Sequence, residues 1–211
     1  MSVNPFPYQL YLVISEADCK GRNFLQVAEQ AILGGVDVIQ LREKNSSTES
    51  FLTKAQQLIE LTDKYSVPLI INDNVQVAEK VNSAGIHVGN SDDSPVYLRQ
   101  QPLFHKKIIG YSIEYLSQLD NEQTAVSDYL GISPVFRTDT KMDTITEWGL
   151  EGITTIRQLT EKPLVAIGHI HLGNAREVMN AGADCLAVVS AICSAHDPQK
   201  AAYQLKNEIL K

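Results

Sequence analysis

The amino-acid sequence predicts an α/β fold, a single (β/α)8 TIM barrel domain over residues 1–211. Short apolar segments that suit buried strands alternate with segments whose apolar residues recur at helical spacing, and no linker interrupts the series. Eight such strand–helix units close most naturally into a barrel of parallel strands. A doubly wound open sheet is the alternative, because the barrel depends on the strand count.

The predicted strands are short apolar runs without polar alternation. Such runs are typical of strands that are buried on both faces of a parallel sheet. Two of them share a pattern of helix end, glycine and strand, SAGIHVG at 83–89 and NAGADCLAVVS at 180–190, which indicates repetition. The predicted strands are residues 8–14, 36–41, 68–72, 85–89, 107–112, 129–133, 164–168 and 185–190.

The predicted helices lie between these strands. Apolar residues at helical spacing mark residues 24–32 and 51–59. Gly34 predicts the end of the first helix, since glycine is the usual residue just beyond a helix. Ser47 predicts the beginning of the second helix, where acidic Glu49 suits the first turn. The segments 149–160, 173–182 and 198–210 complete the set.

Composition and charge exclude several classes of protein. The formal net charge of −7 argues against a nucleic-acid partner. No stretch approaches the roughly 18 uninterrupted apolar residues of a membrane helix. The opening MSVNPFPYQL lacks the basic start and apolar core of a signal peptide. We therefore expect a cytoplasmic protein whose partners are small molecules, with no nucleic acid and no membrane.

The sequence QLREK brings a polar cluster to the end of the second predicted strand. Alternate side chains of a strand share one face, so Gln40, Arg42 and Lys44 converge. An amide and two cations in one place are costly unless an anion meets them. Barrel enzymes build their sites from the loops after their strands, which predicts an anionic substrate here. The alternative is surface pairing of the cations with Glu43 or Glu49.

Two acidic residues follow the next two strands. Asp73 comes after the third strand and Asp92 after the fourth. Mg²⁺ takes one or two protein carboxylates together with phosphate oxygens of a substrate, so the two residues suit a magnesium site. The alternative is structural: Asp73 would cap the following helix, and Asp92 would lie in a solvated turn.

His87 lies in the middle of the fourth predicted strand. If Ile86 and Val88 pack against the helices, His87 points into the barrel, as Gln40 should. A general base and a structural histidine both remain open for it. The other polar groups after strand ends, or backbone amides that suit a phosphate, are Asn72, Ser112, Thr138, Thr140, Lys141, Gly168 and Ser190.

In their order along the chain these motifs resemble the thiamine phosphate synthase (thiamine-phosphate pyrophosphorylase) family. The resemblance implies a (β/α)8 barrel that joins 4-amino-2-methyl-5-hydroxymethylpyrimidine diphosphate to 4-methyl-5-(2-phosphoethyl)thiazole and releases pyrophosphate. It implies Mg²⁺ as the cofactor and allows a homodimer. The motifs are YLV (11–13), QLREK (40–44), IINDN (70–74), GIHVGNSDD (85–93), GYS (110–112), SPVFRTDTKMDT (133–144), AIG (166–168), NAGAD (180–184) and VVSAI (188–192).

The resemblance also implies roles for the site residues. Gln40 would orient the pyrimidine, and Asp73 and Asp92 would bind Mg²⁺. Loss of the diphosphate would be dissociative, because an amino-substituted pyrimidine stabilises the resulting cation. The diphosphate would contact Asn72 and the residues counted as catalytic, Arg42, Lys44, Ser112 and Lys141. The thiazole phosphate would contact Thr138, Thr140, Gly168, Val189 and Ser190.

Several departures from the family pattern, at His169, Ile113, Glu114, Ser133, Arg137 and Asn90, and three alternatives accompany this interpretation. His169 stands where the family usually has a second glycine, and its side chain would narrow the thiazole-phosphate site. The alternatives are a thiazole tautomerase-like relative, a sugar-phosphate epimerase or isomerase, and a barrel that binds thiamine precursors without turnover. The presence of Gln40, Asp73 and Lys141 favours a synthase over a tautomerase.

Overall fold

A computed structural model of the chain describes residues 6–137 and 146–211. Eight parallel strands form a closed barrel in chain order, and the eighth pairs with the first. The predicted barrel is therefore confirmed, and the open-sheet alternative is wrong. The strands are β1 (Leu10–Ile14), β2 (Val38–Leu41), β3 (Leu69–Asn72), β4 (Gly85–Val88), β5 (Ile108–Ile113), β6 (Tyr129–Ile132), β7 (Leu164–Ile167) and β8 (Cys185–Val188).

Helices follow the strands around the outside of the barrel, and each helix that the sequence predicts is present. The helices within the described residues are α1 (Phe24–Leu33), α2 (Thr48–Lys64), α3 (Val75–Lys80), α4 (Pro95–Gln100), α5 (Glu122–Val126), α6 (Gly149–Leu159), α7 (Ala175–Asn180), α8 (Ser190–Cys193) and α9 (Pro198–Leu210). Helices α3, α4, α5 and α8 are not predicted from the sequence, because helices of so few turns show no clear apolar stripe. None of the described helices is long and apolar enough to cross a membrane.

The ends of the first two helices are those that the sequence predicts. Gly34 follows α1, and Gly35 has a φ of 102°, a backbone conformation that favours glycine. The side-chain oxygen of Ser47 accepts a hydrogen bond from the backbone N–H of Ser50 at the start of α2. These caps hold both ends of the segment that contains β2 and the loop carrying Arg42 and Lys44.

Two apolar layers position the site. Ile86 and Val88 pack outward in the layer between strands and helices, while His87 between them lines the interior. Inside the barrel, Phe6 and Tyr129 stack with ring centroids 4.2 Å apart, and Tyr11 lies beside them. These rings fill the end of the barrel where the strands begin. The space that remains open inside the barrel is a cavity toward the carboxyl ends of the strands.

Candidate active site

A cavity of about 350 Å³ lies at the carboxyl ends of the strands, and every strand or its following loop contributes to the wall. Twelve of the residues that the sequence singles out line it, namely Gln40, Arg42, Lys44, Asn72, Asp73, His87, Asp92, Ser112, Gly168, His169, Val189 and Ser190. Thr138, Thr140 and Lys141 fall outside the described residues. Parallel strands place all their carboxyl ends at one mouth of the barrel, which is why residues far apart in sequence meet here.

Arg42 and Lys44 face the cavity rather than pairing with the acid between them. Nζ of Lys54, on α2, lies 2.7 Å from Oε2 of Glu43, which also accepts a hydrogen bond from the backbone N–H of Glu16. Glu43 is thereby turned toward α2, away from its two basic neighbours. The positive charges of Arg42 and Lys44 instead act on Asp73 across the cavity, where they favour its ionised form.

Asp73 reaches the cavity because of an unusual backbone conformation. Its φ is 59°, a left-handed value that aspartate tolerates better than most residues. The side chain of the next residue, Asn74, caps α3 by accepting from the N–H of Val77 at 2.9 Å. The alternative in which Asp73 caps this helix is therefore wrong, and its carboxylate is left to the cavity.

Asp73 and Asp92 form a pair of carboxylates. Burial, and then the negative charge of Asp92, raise the pKa of Asp73 to about 6, although Lys44 and Arg42 act in the opposite direction. Oδ2 of Asp92 accepts the backbone N–H of Gly89 at 2.8 Å, which anchors the second carboxylate on the loop after β4. A divalent cation would relieve the repulsion between two such groups.

The donor set fits magnesium better than a metal held by protein ligands alone. Among residues 6–137 and 146–211, no three histidine, cysteine or acidic side chains are grouped so as to hold a metal ion. A pair of carboxylates with open space beside it is instead typical of Mg²⁺, which completes its shell with water and substrate phosphate oxygens. Asp73 and Asp92 are therefore suited to an ion that arrives with a phosphate-bearing ligand.

A row of hydrogen-bonded side chains crosses the interior wall of the cavity. Nε2 of Gln40 donates to the hydroxyl of Tyr11 at 2.8 Å, and that hydroxyl lies 3.0 Å from the hydroxyl of Tyr129. Nδ1 of His87 lies 2.9 Å from the Tyr129 hydroxyl, and Nε2 of His87 lies 2.9 Å from Oγ of Ser112. His87 points into the barrel as predicted, with both ring nitrogens hydrogen-bonded.

Tyr11 and Tyr129 are functional candidates that the sequence analysis missed. Tyr11 lies two residues before Val13 on the inward face of β1, and Tyr129 begins β6 two residues before Gly131. The alternation of facing directions along a strand is the signal that identifies them, once one inward residue of each strand is known. A tyrosine in an apolar run otherwise reads as an ordinary core residue.

Gly168 and His169 shape the rim after β7. Gly168 has a φ of 121°, and a Cβ there would lie 2.7 Å from the Cβ of Pro134, so both backbone and space require glycine. His169 also has a positive φ, 52°. The backbone thus keeps a conformation that favours glycine, while the exposed imidazole adds a donor to the cavity wall.

Comparison with known proteins assigns this geometry to a family. A family model described as thiamine monophosphate synthase matches residues 10–192, which covers β1 to α8. The chain belongs to the thiamine monophosphate synthase family. Members of this family among curated proteins include the thiamine-phosphate synthase of Albidiferax ferrireducens, which is 46% identical over 95% of this chain and 91% of the relative. The thiamine-phosphate synthase of Chloroflexus aurantiacus is 44% identical over 94% of this chain and 91% of its own.

A solved structure extends the likeness to the thiamine monophosphate synthase family from sequence to architecture. The thiamine phosphate pyrophosphorylase from Pyrococcus furiosus superposes with a TM-score of 0.84 at 32% sequence identity. The match covers 98% of this chain and 96% of the other. Sequence and fold therefore agree on the family over most of the chain.

Proposed function

We propose that this chain is a thiamine-phosphate synthase. It joins 4-amino-2-methyl-5-hydroxymethylpyrimidine diphosphate to 4-methyl-5-(2-phosphoethyl)thiazole and yields thiamine phosphate and pyrophosphate. The observation that carries the proposal is the meeting of Arg42 and Lys44 with Asp73 and Asp92 in one cavity of a family member. Two cations opposite a carboxylate pair suit a magnesium-bound diphosphate and explain the charges of all four groups.

Arg42 and Lys44 stabilise the charge that develops on the leaving diphosphate. Arginine presents a planar fork of donors to two phosphate oxygens, whereas lysine acts as a compact point charge. Because the site lies partly out of water, these charges act more strongly than they would on the surface. Asn72 and Ser112, both largely buried at the ends of β3 and β5, add neutral donors to the same group.

Asp73 and Asp92 hold the metal in this proposal. When bound, Mg²⁺ neutralises charge on the diphosphate oxygens and so makes that group a better leaving group. Burial is the main cause of the raised pKa of Asp73, and the negative charge of Asp92 adds to it; a bound cation would offset this second contribution. No protein nucleophile is required, because the thiazole nitrogen attacks the pyrimidine carbon.

The pyrimidine lies in the deeper part of the cavity. Gln40 is only 5% exposed there and presents an amide to the ring. Val13, Val165 and Ala187 form an apolar wall on the inward faces of their strands. This wall keeps water from the cation that forms when the diphosphate departs, so that the thiazole nitrogen captures it instead.

The thiazole phosphate lies at the rim after β7 and β8. Gly168, Val189 and Ser190 line the cavity there, and phosphate sites of barrel enzymes commonly use backbone amides after these two strands. Similarity to the family adds Thr138 and Thr140 to this subsite and Lys141 to the diphosphate. A cytoplasmic location, one domain over residues 1–211 and a homodimer stay predictions.

Pyrophosphate release tests the proposed function. Purified protein with both substrates and Mg²⁺ is expected to form thiamine phosphate and pyrophosphate in equal amounts, and chelation of the metal is expected to stop the reaction. Isomerisation of a thiazole precursor without pyrophosphate would instead indicate the tautomerase-like alternative. Binding of both substrates by folded protein with no product would indicate a binding protein.

A further inference from the structure

The hydrogen-bonded row from Gln40 to Ser112 joins two subsites of the proposed reaction. Gln40 at one end faces the pyrimidine, and Ser112 at the other end faces the diphosphate. Four hydrogen bonds of 2.8–3.0 Å connect them. They join Gln40 to Tyr11, Tyr11 to Tyr129, Tyr129 to His87, and His87 to Ser112. Each of the three middle residues is hydrogen-bonded both to the residue before it and to the residue after it in the row.

Such a row has two possible directions. Each tyrosine hydroxyl has one proton, and a neutral imidazole has one donor and one acceptor nitrogen. If Gln40 donates to Tyr11, every later group donates to the next, and Ser112 keeps its proton for a ligand. If Ser112 donates to His87, all the bonds reverse, and Tyr11 must donate to the carbonyl oxygen of a flipped Gln40 amide.

Burial inside the barrel keeps each tyrosine hydroxyl of the row protonated. Tyr11 and Tyr129 are fully buried, and burial raises the pKa of both phenols well above the usual value, so the hydroxyls keep their protons. Gly110, on the strand between His87 and Tyr129, leaves room for their contact. A Cβ at Gly110 would lie 2.3 Å from the Tyr129 hydroxyl and 2.5 Å from Nδ1 of His87.

We propose that diphosphate bound at Ser112 sets the direction of this row and thereby makes Gln40 selective for an aminopyrimidine. The inference rests on the proposed function, which places the diphosphate at Ser112. The ionised oxygens of a diphosphate accept hydrogen bonds, so Ser112 donates to them. The remaining bonds then run from Gln40 toward Ser112, which is the direction that the Nε2 contact with Tyr11 shows.

The direction of the row decides which ring Gln40 recognises. With Nε2 donating to Tyr11, the amide offers Oε1 and its second Nε2 hydrogen to a ligand. An acceptor beside a donor complements the amino group and adjacent ring nitrogen of a 4-aminopyrimidine. The 4-oxo ring presents a carbonyl and a ring N–H, which require the flipped amide. Tyr11, Tyr129 and His87 are therefore positioning residues that act through Gln40.

Binding of ligand fragments tests the inference apart from turnover. The probes are 4-amino-2-methyl-5-hydroxymethylpyrimidine and its 4-oxo analogue, each titrated calorimetrically with Mg²⁺ in the presence and absence of inorganic pyrophosphate. In the unmodified protein, pyrophosphate is expected to raise the preference for the amino ring about tenfold, the scale of one mismatched buried hydrogen bond. Direct contact between pyrophosphate and the shared hydroxymethyl group would affect both rings equally.

Removal of one hydroxyl breaks the row. Tyr129→Phe keeps the ring that packs on Phe6 but deletes the link between Tyr11 and His87, so pyrophosphate is expected to leave the amino preference unchanged within about twofold. Tyr65→Phe is the control, since its hydroxyl binds Glu29 on the helical surface. It is expected to keep the tenfold response. If Tyr129→Phe does not fold, Tyr11→Phe cuts the neighbouring link with the same expected result.

Two results would overturn the inference. One is an amino preference that pyrophosphate does not change in the unmodified protein, and the other is a full response in Tyr129→Phe. The pyrophosphate-release assay on the same samples separates this failure from that of the proposed function. Turnover without the selectivity response would contradict the inference about the row alone. Folded protein without turnover would contradict the proposed function.

Discussion

Nζ of Lys54 lies 2.7 Å from Oε2 of Glu43 and 2.9 Å from Oε2 of Glu16. The Lys54 ammonium on α2 thereby ties the loop after β1 to the loop after β2. Glu43 is the residue between Arg42 and Lys44, and its side chain is only 6% exposed. A nearly buried carboxylate thus anchors the loop that carries the two cations of the proposed diphosphate site.

We expect Lys54→Met to loosen this loop. Methionine keeps most of the apolar stem but leaves Glu43 without its cation, which should lower the free energy of unfolding by about 1–2 kcal/mol. The Michaelis constant for the pyrimidine diphosphate should rise several-fold, because Arg42 and Lys44 lose their fixed position. Chemical denaturation and steady-state kinetics measure the two effects.

Lys64→Met is the matched control for Lys54→Met. Lys64 pairs with Glu29, but their side chains are 62% and 36% exposed, and such surface pairs contribute little. Neither stability nor kinetics should change measurably. Equal kinetic effects in the two variants would mean that the Glu43 anchor does not position the loop.

Asp92→Asn should separate activity from stability. The amide keeps an oxygen for the N–H of Gly89 but lacks the charge for Mg²⁺, so the metal concentration for half-maximal rate should rise roughly tenfold or more. The melting temperature should stay equal or increase, because the negative charge beside Asp73 is gone. Asp93→Asn changes the adjacent exposed residue and should leave both quantities unaltered. A matching loss in both variants would contradict a metal-binding role for Asp92.

Gly168→Ala should destabilise the barrel by about 2–4 kcal/mol, because it adds overpacking to backbone strain. The new Cβ would lie within 2.8 Å of the Cα of Pro134 and the backbone nitrogen of Val135. Gly21→Ala is the control, with a φ of 82° but nothing within 4 Å of the added atom. It should cost only about 1 kcal/mol, from the positive φ alone. Urea denaturation of both variants gives the difference, and similar costs would mean that Pro134 moves away freely.

His169 offers a test of its left-handed backbone. At a φ of 52°, His169→Gly should be more stable than His169→Ala by roughly 0.5–1 kcal/mol, since the strain that glycine avoids exceeds its extra entropy in the unfolded chain. Both variants remove the imidazole, so their Michaelis constants for the thiazole phosphate should shift by the same factor. Denaturation and kinetics on the pair measure these quantities. A more stable alanine variant would show that the residue does not need this conformation.

The sequence predicts the strands of this barrel well because both faces of a parallel sheet are buried. Continuous apolar runs ending in polar residues marked β2, β3 and β4 and placed Gln40, Asp73 and Asp92 at one mouth. The family resemblance is confirmed by the thiamine monophosphate synthase match. The roles of individual site residues stay predictions, and Lys141 lies outside the described residues.

Other features depended on information that a single sequence does not carry. The facing direction of Tyr11 and Tyr129 follows from the register around the closed barrel, where His87 pairs with Gly110 and Gly110 with Tyr129. Local patterns contain no cross-strand register. The partner of Glu43 could not be predicted either. Lys54 lies on α2, eleven residues further along the chain, and the sequence offers Arg42 and Lys44 as nearer cations for the same carboxylate.

Phe6, Tyr11 and Tyr129 form an aromatic floor that determines how ligands enter the cavity. With that end plugged among the residues that the structure describes, molecules come and go past the loops on the opposite side. In the proposed reaction the pyrimidine lies nearer this floor and therefore enters before the thiazole, and the two rings leave joined as thiamine phosphate. The closed end of the barrel thus sets the order in which the two substrates enter.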